Sequence, residues 1–162
     1  VAYPVAAEKW LLKMPGKVGN EVTRRKSPKR GKPFQVFGEL VSFPELIAHQ
    51  NFSLEILMVD VEEVRRYTGD KPWRQNGWET VEQRLIRIVE TIIIIEPADL
   101  LKLLPETLPV KFTTADLQNK AGIPRWLAQK AAYCLRKVGV IHQSGKRGSF
   151  NAYEISYGPL NH

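Results

Sequence analysis

Polar and apolar positions alternate from Ala7 to Met14, with Trp10, Leu12 and Met14 on one side and Lys9, Leu11 and Lys13 on the other. That period predicts a strand with one wetter face. Pro15-Gly16 ends it, and Glu21 to Arg25 reads as the returning strand of a hairpin. Phe34, Phe37 and Val41 fall at helical spacing, so a helix is expected over Phe34 to Phe43, kinked or ended by Pro44, with one further turn over Glu45 to Ala48. Phe52, Leu54, Ile56 and Met58 return to a period of two; a strand is expected from Phe52 to Val61, extended through Val64 to Tyr67. Thr68 to Gly77 is rich in turn formers. Thr80 to Ile95 carries both periods: Val81, Leu85, Ile88, Val89 and Ile92 suit a helix, but four consecutive isoleucines end the segment. Stiff β-branched side chains favour extended chain, so a long strand with room for a bulge is expected from about Glu82 to Ile95.

Pro97 starts a new periodicity and sets the expected domain boundary. It suits a first helical position, and Leu100, Leu101, Leu103 and Leu104 give that helix an apolar side before Pro105 stops it. Thr113 and Asp116 have the spacing of a capping box, and Phe112 and Leu117 that of a hydrophobic staple. A short helix from Thr114 to Lys120 then ends at Ala121-Gly122, where glycine permits a left-handed cap. In the next helix, Pro124 to Val138, Leu127, Ala131, Cys134, Leu135 and Val138 share one face. Trp126, Gln129, Lys130, Tyr133 and Lys137 share another, flanked by Arg125 and Arg136. After Gly139, Val140–Gln143 and Phe150–Ile155 read as two short strands around a tip, Ser144 to Ser149, that presents Lys146 and Arg147.

Charge sharpens this picture. The 162 residues carry a formal +7, of which 97–162 hold +5. Six cations crowd into nine positions of the first part: Arg24, Arg25, Lys26, Lys29, Arg30 and Lys32. Pro28, Gly31 and Pro33 argue for a loop there, over 24–33. Localised positive charge is the footprint of a polyanion binder, and a phosphate backbone is the expected partner. A solvated loop, or one paired with glutamates of its own domain, is the structural alternative.

The segment Thr113 to Ser156 resembles the winged helix-turn-helix superfamily of DNA-binding domains in its order of helix, Gly-containing turn, second helix and two-stranded wing. With the Pro97 helix the resemblance runs over about 97–157. It implies that Pro124 to Tyr133 lies in or near a DNA groove, with Arg125, Gln129 and Lys130 reaching base edges or phosphates and Lys146 and Arg147 at the wing. Trp126 departs from a simple reader, because a bulky indole in the first turn is also suited to packing against the neighbouring domain. The first part, joined to such a domain, resembles uncharacterised prokaryotic two-domain proteins, a likeness that brings no activity with it. The expected class is therefore α+β: a mixed domain with an antiparallel sheet over 1–96, then a winged helix over 97–162. The expected partner is DNA, probed through Arg125, Trp126, Gln129, Lys130, Tyr133, Lys146, Arg147 and the basic loop. A homodimer or a protein partner stays open.

Other chemistry finds less support. Glu55, Asp60, Glu62 and Glu63 form an acidic cluster on or after a strand, but no Asp-x-Lys or Glu-x-Lys follows them. A metal-dependent nuclease is thus the alternative, and acids balancing charge on an exposed surface are expected instead. His49, His142 and His162 are scattered without metal spacing, and Cys134 lies on an apolar helix face, as a core thiol does. Gly16 to Gly19 lacks the strand–helix frame of a phosphate loop. Neither a catalytic residue, a metal site nor a cofactor is expected. Trp73 and Trp78 would stack on bases if exposed; the buried arrangement, anchoring a hairpin turned at Asn76-Gly77, is expected. No apolar run reaches membrane-spanning length and no leader precedes the first strand, so the cytoplasm is expected. The chain starts at Val1 rather than Met, as a processed or partial product would. A protein-interaction adaptor is the third alternative, because many winged helices bind proteins.

Overall fold

A computed structural model of the chain describes residues 1–14, 22–69 and 77–156. The expectations at Pro15-Gly16, Gly19, Glu21, Trp73, Asn76 and His162 lie outside the described residues. Strands and helices come in short runs in an α+β arrangement, with an antiparallel hairpin at the start of the first sheet and an antiparallel second sheet.

The first sheet has four strands: β1 (Ala2–Lys13), β2 (Thr23–Lys26), β3 (Leu54–Tyr67) and β4 (Trp78–Ile94), in the order β2-β1-β3-β4. β1 and β2 form the expected hairpin, with Trp10 opposite Lys26 and Leu12 opposite Arg24. β1 begins five residues earlier than its alternation predicts. β3 runs unbroken to Tyr67. Met58, Val59 and Asp60 are buried in succession, as an interior strand requires, since neighbouring residues face opposite sides. β4 is extended throughout, so the β-branched signal prevails over the helical one.

Trp78 opens β4 half-buried, with the edge of Tyr67 at 5.5 Å and the Lys13 ammonium 4.4 Å from its ring. Beside it Gly77 has φ +75°, and a Cβ there would lie 2.6 Å from the Tyr67 ring. Both the backbone and the ring demand glycine. Gly77→Ala is expected to destabilise by about 1–3 kcal/mol, from left-handed strain plus overpacking, read as a lower urea midpoint.

The helix expected over Phe34–Phe43 is broken into a 3-10 turn, Pro33–Val36, and a single α turn, α1 (Phe37–Leu40). Prolines at both ends and Gly38 in the middle leave too few residues for a regular helix. Phe34, Phe37 and Leu40 are nevertheless buried. Pro97–Leu103 is likewise 3-10, and its period of three buries Leu100 and Leu103 together. Asp99 caps it by accepting from the backbone N–H of Ile95 at 2.8 Å and of Glu96 at 3.2 Å.

From there the chain follows β5 (Phe112–Thr113), α2 (Thr114–Ala121), α3 (Arg125–Lys137), β6 (Ile141–Arg147) and β7 (Phe150–Ile155). The second sheet has the order β5-β7-β6, antiparallel throughout. The capping box expected at Thr113 is present: Asp116 N–H donates to Thr113 Oγ1 at 3.3 Å, and Thr113 N–H donates to Asp116 Oδ2 at 2.8 Å. Gly122 closes α2 in the left-handed conformation, φ +58°. α3 buries Leu127, Ala128, Ala131, Ala132, Cys134 and Leu135.

Packing divides the chain differently from the expected segments 1–96 and 97–162. One compact unit gathers Val1–Tyr3, Pro33–Ile56 and Ile92–His162; the other gathers Pro4–Lys32 and Leu57–Thr91. The segment 33–56 joins the later part of the chain because Phe37, Leu40 and Ile47 need apolar partners, and α1 meets them at α3.

Candidate functional site

One face of α3 repeats at helical spacing: Arg125, Gln129, Tyr133 and Arg136. Across from it stands the β6–β7 hairpin, where Ser149, Asn151 and Tyr153 follow one another at a period of two. Together with Thr114, Ala132 and Phe150 these residues line a groove of ≈ 300 Å³. Its walls hold two guanidinium groups, two amides, three hydroxyl-bearing side chains of the helix and hairpin, and no carboxylate. The arrangement suits an anionic ligand that accepts many hydrogen bonds.

Of the expected contact residues, Arg125, Gln129 and Tyr133 come together here. Lys130 does not. Its ammonium donates to the Gly38 carbonyl at 3.2 Å and sits 5.3 Å from the Trp126 ring. Trp126 is more than half exposed, and a Cβ added at Gly38 would lie 4.0 Å from its ring. The Lys130 bond fastens α3 to α1, a partnership set by a residue 92 positions away.

Arg147 lies on the wing as expected, next to its turn, but its side chain is not free. Its guanidinium donates to Thr113 Oγ1 at 3.3 Å and to Asp116 Oδ2, so it braces the start of α2. The tip is shorter than Ser144–Ser149. β6 continues through Arg147, and only Gly148-Ser149 turns the chain, with Gly148 at φ +63°. A register shift between Gln143 and Gly145 absorbs the extra residue. Lys146 is exposed on β6, opposite Asn151. Burial works to raise the Asp116 carboxyl, but the hydrogen bonds from Thr113 and the Arg147 guanidinium outweigh it and hold its pKa below the ordinary value.

The contacts of Arg136, Ser149, Asn151 and Tyr153 with this groove were not anticipated. Arg136 lies eleven residues after Arg125, three helical turns on the same face, and the alternation of β7 sets Asn151 beside Tyr153. Those two periods were the available signal.

The basic segment is largely occupied by its own unit. Arg24, Arg25 and Lys26 are on β2 rather than in a loop. Arg24 pairs with Glu62 at 2.8 Å and covers the Trp10 ring at 4.4 Å. Lys26 and Arg30 share Glu8, at 2.6 and 3.0 Å. Arg25 and Lys29 are exposed and form no ion pair among the described residues. Lys32 is exposed too, in a cavity wall with Glu8, Arg30, Asp60 and Arg87.

Glu55 is exposed as expected and Glu62 partly so, but two acids of the cluster are not on an outer surface. Asp60 and Glu63 are each 4% exposed, because β3 is interior to its sheet. Asp60 Oδ2 accepts from Arg87 Nε at 2.7 Å, while its Oδ1 is buried with no hydrogen-bond partner among the described residues. Glu63 takes Lys9 at 2.8 Å, Thr80 Oγ1 at 2.6 Å and Arg65 Nε at 2.7 Å. No three described His, Cys, Asp or Glu side chains gather as a metal-binding group. Desolvation pushes the Glu63 carboxyl up, but the bonds from Lys9, Thr80 and Arg65 win and lower it from 4.5 to about 2. A folded-state pKa below the unfolded one stabilises above the unfolded value and is lost as pH falls through the folded one. Glu63 therefore supports the fold above pH 4.5 and loses that effect on acidification towards pH 2. Thermal melts across that window are expected to show a steeper fall for the natural chain than for Glu63→Gln. Equal slopes would refute the assignment.

Cys134 is buried in α3, and desolvation raises its thiol to about 11, which keeps it protonated near neutrality. No helix among the described residues is long and apolar enough to cross a membrane.

An uncharacterized protein of Treponema pallidum (strain Nichols) is 27% identical over 154 residues, which are 94% of this chain and 60% of that protein. The chain thus spans less than two thirds of the length of that relative. No solved structure matches the chain. A family model matches residues 1–95, ending two positions before the boundary read at Pro97. By that match the chain belongs to the family described as domain of unknown function DUF8091.

Proposed function

We propose that residues 97–156 form a winged helix-turn-helix unit that binds duplex DNA, chiefly through its phosphates. The observation that carries this reading is the α3–hairpin groove, where Arg125 and Arg136 stand with Gln129, Ser149 and Asn151 and no acid intervenes. Arg125 and Arg136 hold backbone phosphates by charge-assisted bonds, which set register without reading sequence. Gln129 carries an amide able to donate and accept together, as recognition of an adenine edge requires; the Asn151 Oδ1 accepts from Gln143 Nε2 at 3.2 Å, which leaves its amide N–H groups to donate. The order of elements supports the reading: a first turn at Pro97–Leu103, then β5, α2, a tight turn, α3 and a β6–β7 wing. The fold supplies only a prior; the cationic groove supplies the site. Asp60 and Glu63 are taken up by their own cations, so nothing favours the nuclease alternative. Binding to a chromosome would place the chain in the cytoplasm.

Fluorescence anisotropy with labelled duplex and single-stranded DNA tests the proposal. Two phosphate contacts predict duplex binding that weakens about tenfold between ~50 and ~200 mM salt. Absence of binding at the lower salt would overturn it and leave the groove to a protein partner.

A further inference from the structure

The two edges of the first sheet are treated in opposite ways. β2 is four residues long, exposed, and carries Arg24, Arg25 and Lys26 in succession. A short cationic edge discourages pairing with another strand. β4 is seventeen residues long and has neither lysine nor proline. Every residue from Val81 to Thr91 is exposed, on both faces. Leu85 is 62% exposed and Ile88 53%. One side of β4 pairs with β3; the other leaves a row of backbone N–H and C=O groups that no strand among the described residues pairs.

We propose that a second copy of this chain pairs antiparallel along β4, continuing the sheet across a two-fold axis at Gln83. Charge along the strand selects this occupant and this register. A two-fold normal to the sheet keeps each face continuous with itself, so residue pairs must add to an even number. An axis at Arg84 or at Arg87 sets a guanidinium against its own copy. An axis at Ile86 sets Glu82 against Glu90. An axis at Leu85 opposes no like charges but makes no ion pair either. With the axis at Gln83, Glu82 faces Arg84 of the other copy, twice. Val81 then faces Leu85, and Trp78 faces Ile88. Arg84 already holds Glu82 on its own strand at 2.6 Å, so four charges of alternating sign surround the axis. The joined segment, Trp78 to Ile88, is about 37 Å long at ~3.4 Å per residue. Opposite charges and apolar cross-strand pairs are what stabilise antiparallel neighbours.

Sedimentation equilibrium of the full chain is the first measurement, and a dimer is expected. Val81→Glu alone and Leu85→Lys alone are each expected to weaken it at least tenfold. The double variant is expected to restore it, because the new carboxylate faces the new ammonium across the axis. Within one strand the two positions are about 13 Å apart, too far to compensate locally. Gln83→Cys is expected to form an intermolecular disulfide readily and Leu85→Cys poorly, since only an axial residue meets its own copy within disulfide reach. Buried Cys134 does not compete. These positions are exposed, and circular dichroism melts are the check that each variant folds. A monomeric natural chain at ~100 µM, about the weakest association compatible with a specific dimer, overturns the proposal. So does faster cross-linking of Leu85→Cys, or a double variant that stays monomeric. The outcome is independent of DNA binding, which is measured on the other compact unit.

Discussion

Phe112→Ala is expected to cost about 3–5 kcal/mol, the largest stability loss of any change argued from this structure. Phe112 is fully buried although β5 is only two residues long. It pairs with Tyr153 of β7, and their ring centroids are 6.2 Å apart. Its neighbour Thr113 caps α2 and meets Arg147. Removing the ring therefore opens a cavity where the second sheet, α2 and the wing meet. A void in a densely packed interior keeps its cost because the surroundings collapse only partly. Urea unfolding should show the midpoint drop with an unchanged slope, while Phe112→Leu loses less than ~1.5 kcal/mol. A loss below ~1 kcal/mol for the alanine variant would mean that the ring is not the wedge described, since burial alone predicts more.

The double reversal Arg125→Glu/Arg136→Glu is expected to weaken duplex binding about 100-fold at low salt, and to flatten the salt dependence by about two powers of concentration. Both guanidinium groups line the groove, so each reversal removes a phosphate partner and adds a repulsive charge. Lys130→Ala is the informative control. Its ammonium is bound to the Gly38 carbonyl, so its loss should lower the melting temperature and leave affinity within about threefold. If Lys130→Ala weakened binding as much as the double reversal, the groove would be the wrong surface.

Charge order on β4 bears on the same question from another side. A dimer would present two copies of the α3–hairpin groove, and if that groove binds DNA as proposed, linked weak sites gain avidity wherever one DNA molecule reaches both. The separate unit assignments of β4's exposed segment and of the groove make the two properties separable by mutation.

Local signals in the sequence were reliable where the partner lies within a few residues. The Thr113–Asp116 box, the left-handed Gly122 and the apolar seam of α3 all depend on spacing of four residues or fewer, and all are present. The β4 strand followed from β-branching alone. Helix type was harder to read: Phe34–Phe43 carries helical spacing, yet proline and glycine break it into a 3-10 turn and one α turn, and Pro97–Leu103 winds as 3-10. The groove-lining residues were half legible. Arg125, Gln129 and Tyr133 share a helix face, which periodicity reveals; Ser149 and Asn151 needed the hairpin folded against it.

What the sequence determined by itself is the class of each element and which of its faces is apolar, because backbone preference and side-chain period act locally. What only the tertiary structure decided is which charges remain available. Lys130 is taken by Gly38, Arg147 by Asp116, and Arg24, Lys26 and Arg30 by Glu62 and Glu8. A cation's role depends on the acceptor that folding brings within about 4 Å, where attraction outweighs its hydration, and that acceptor's place in the chain carries no local mark.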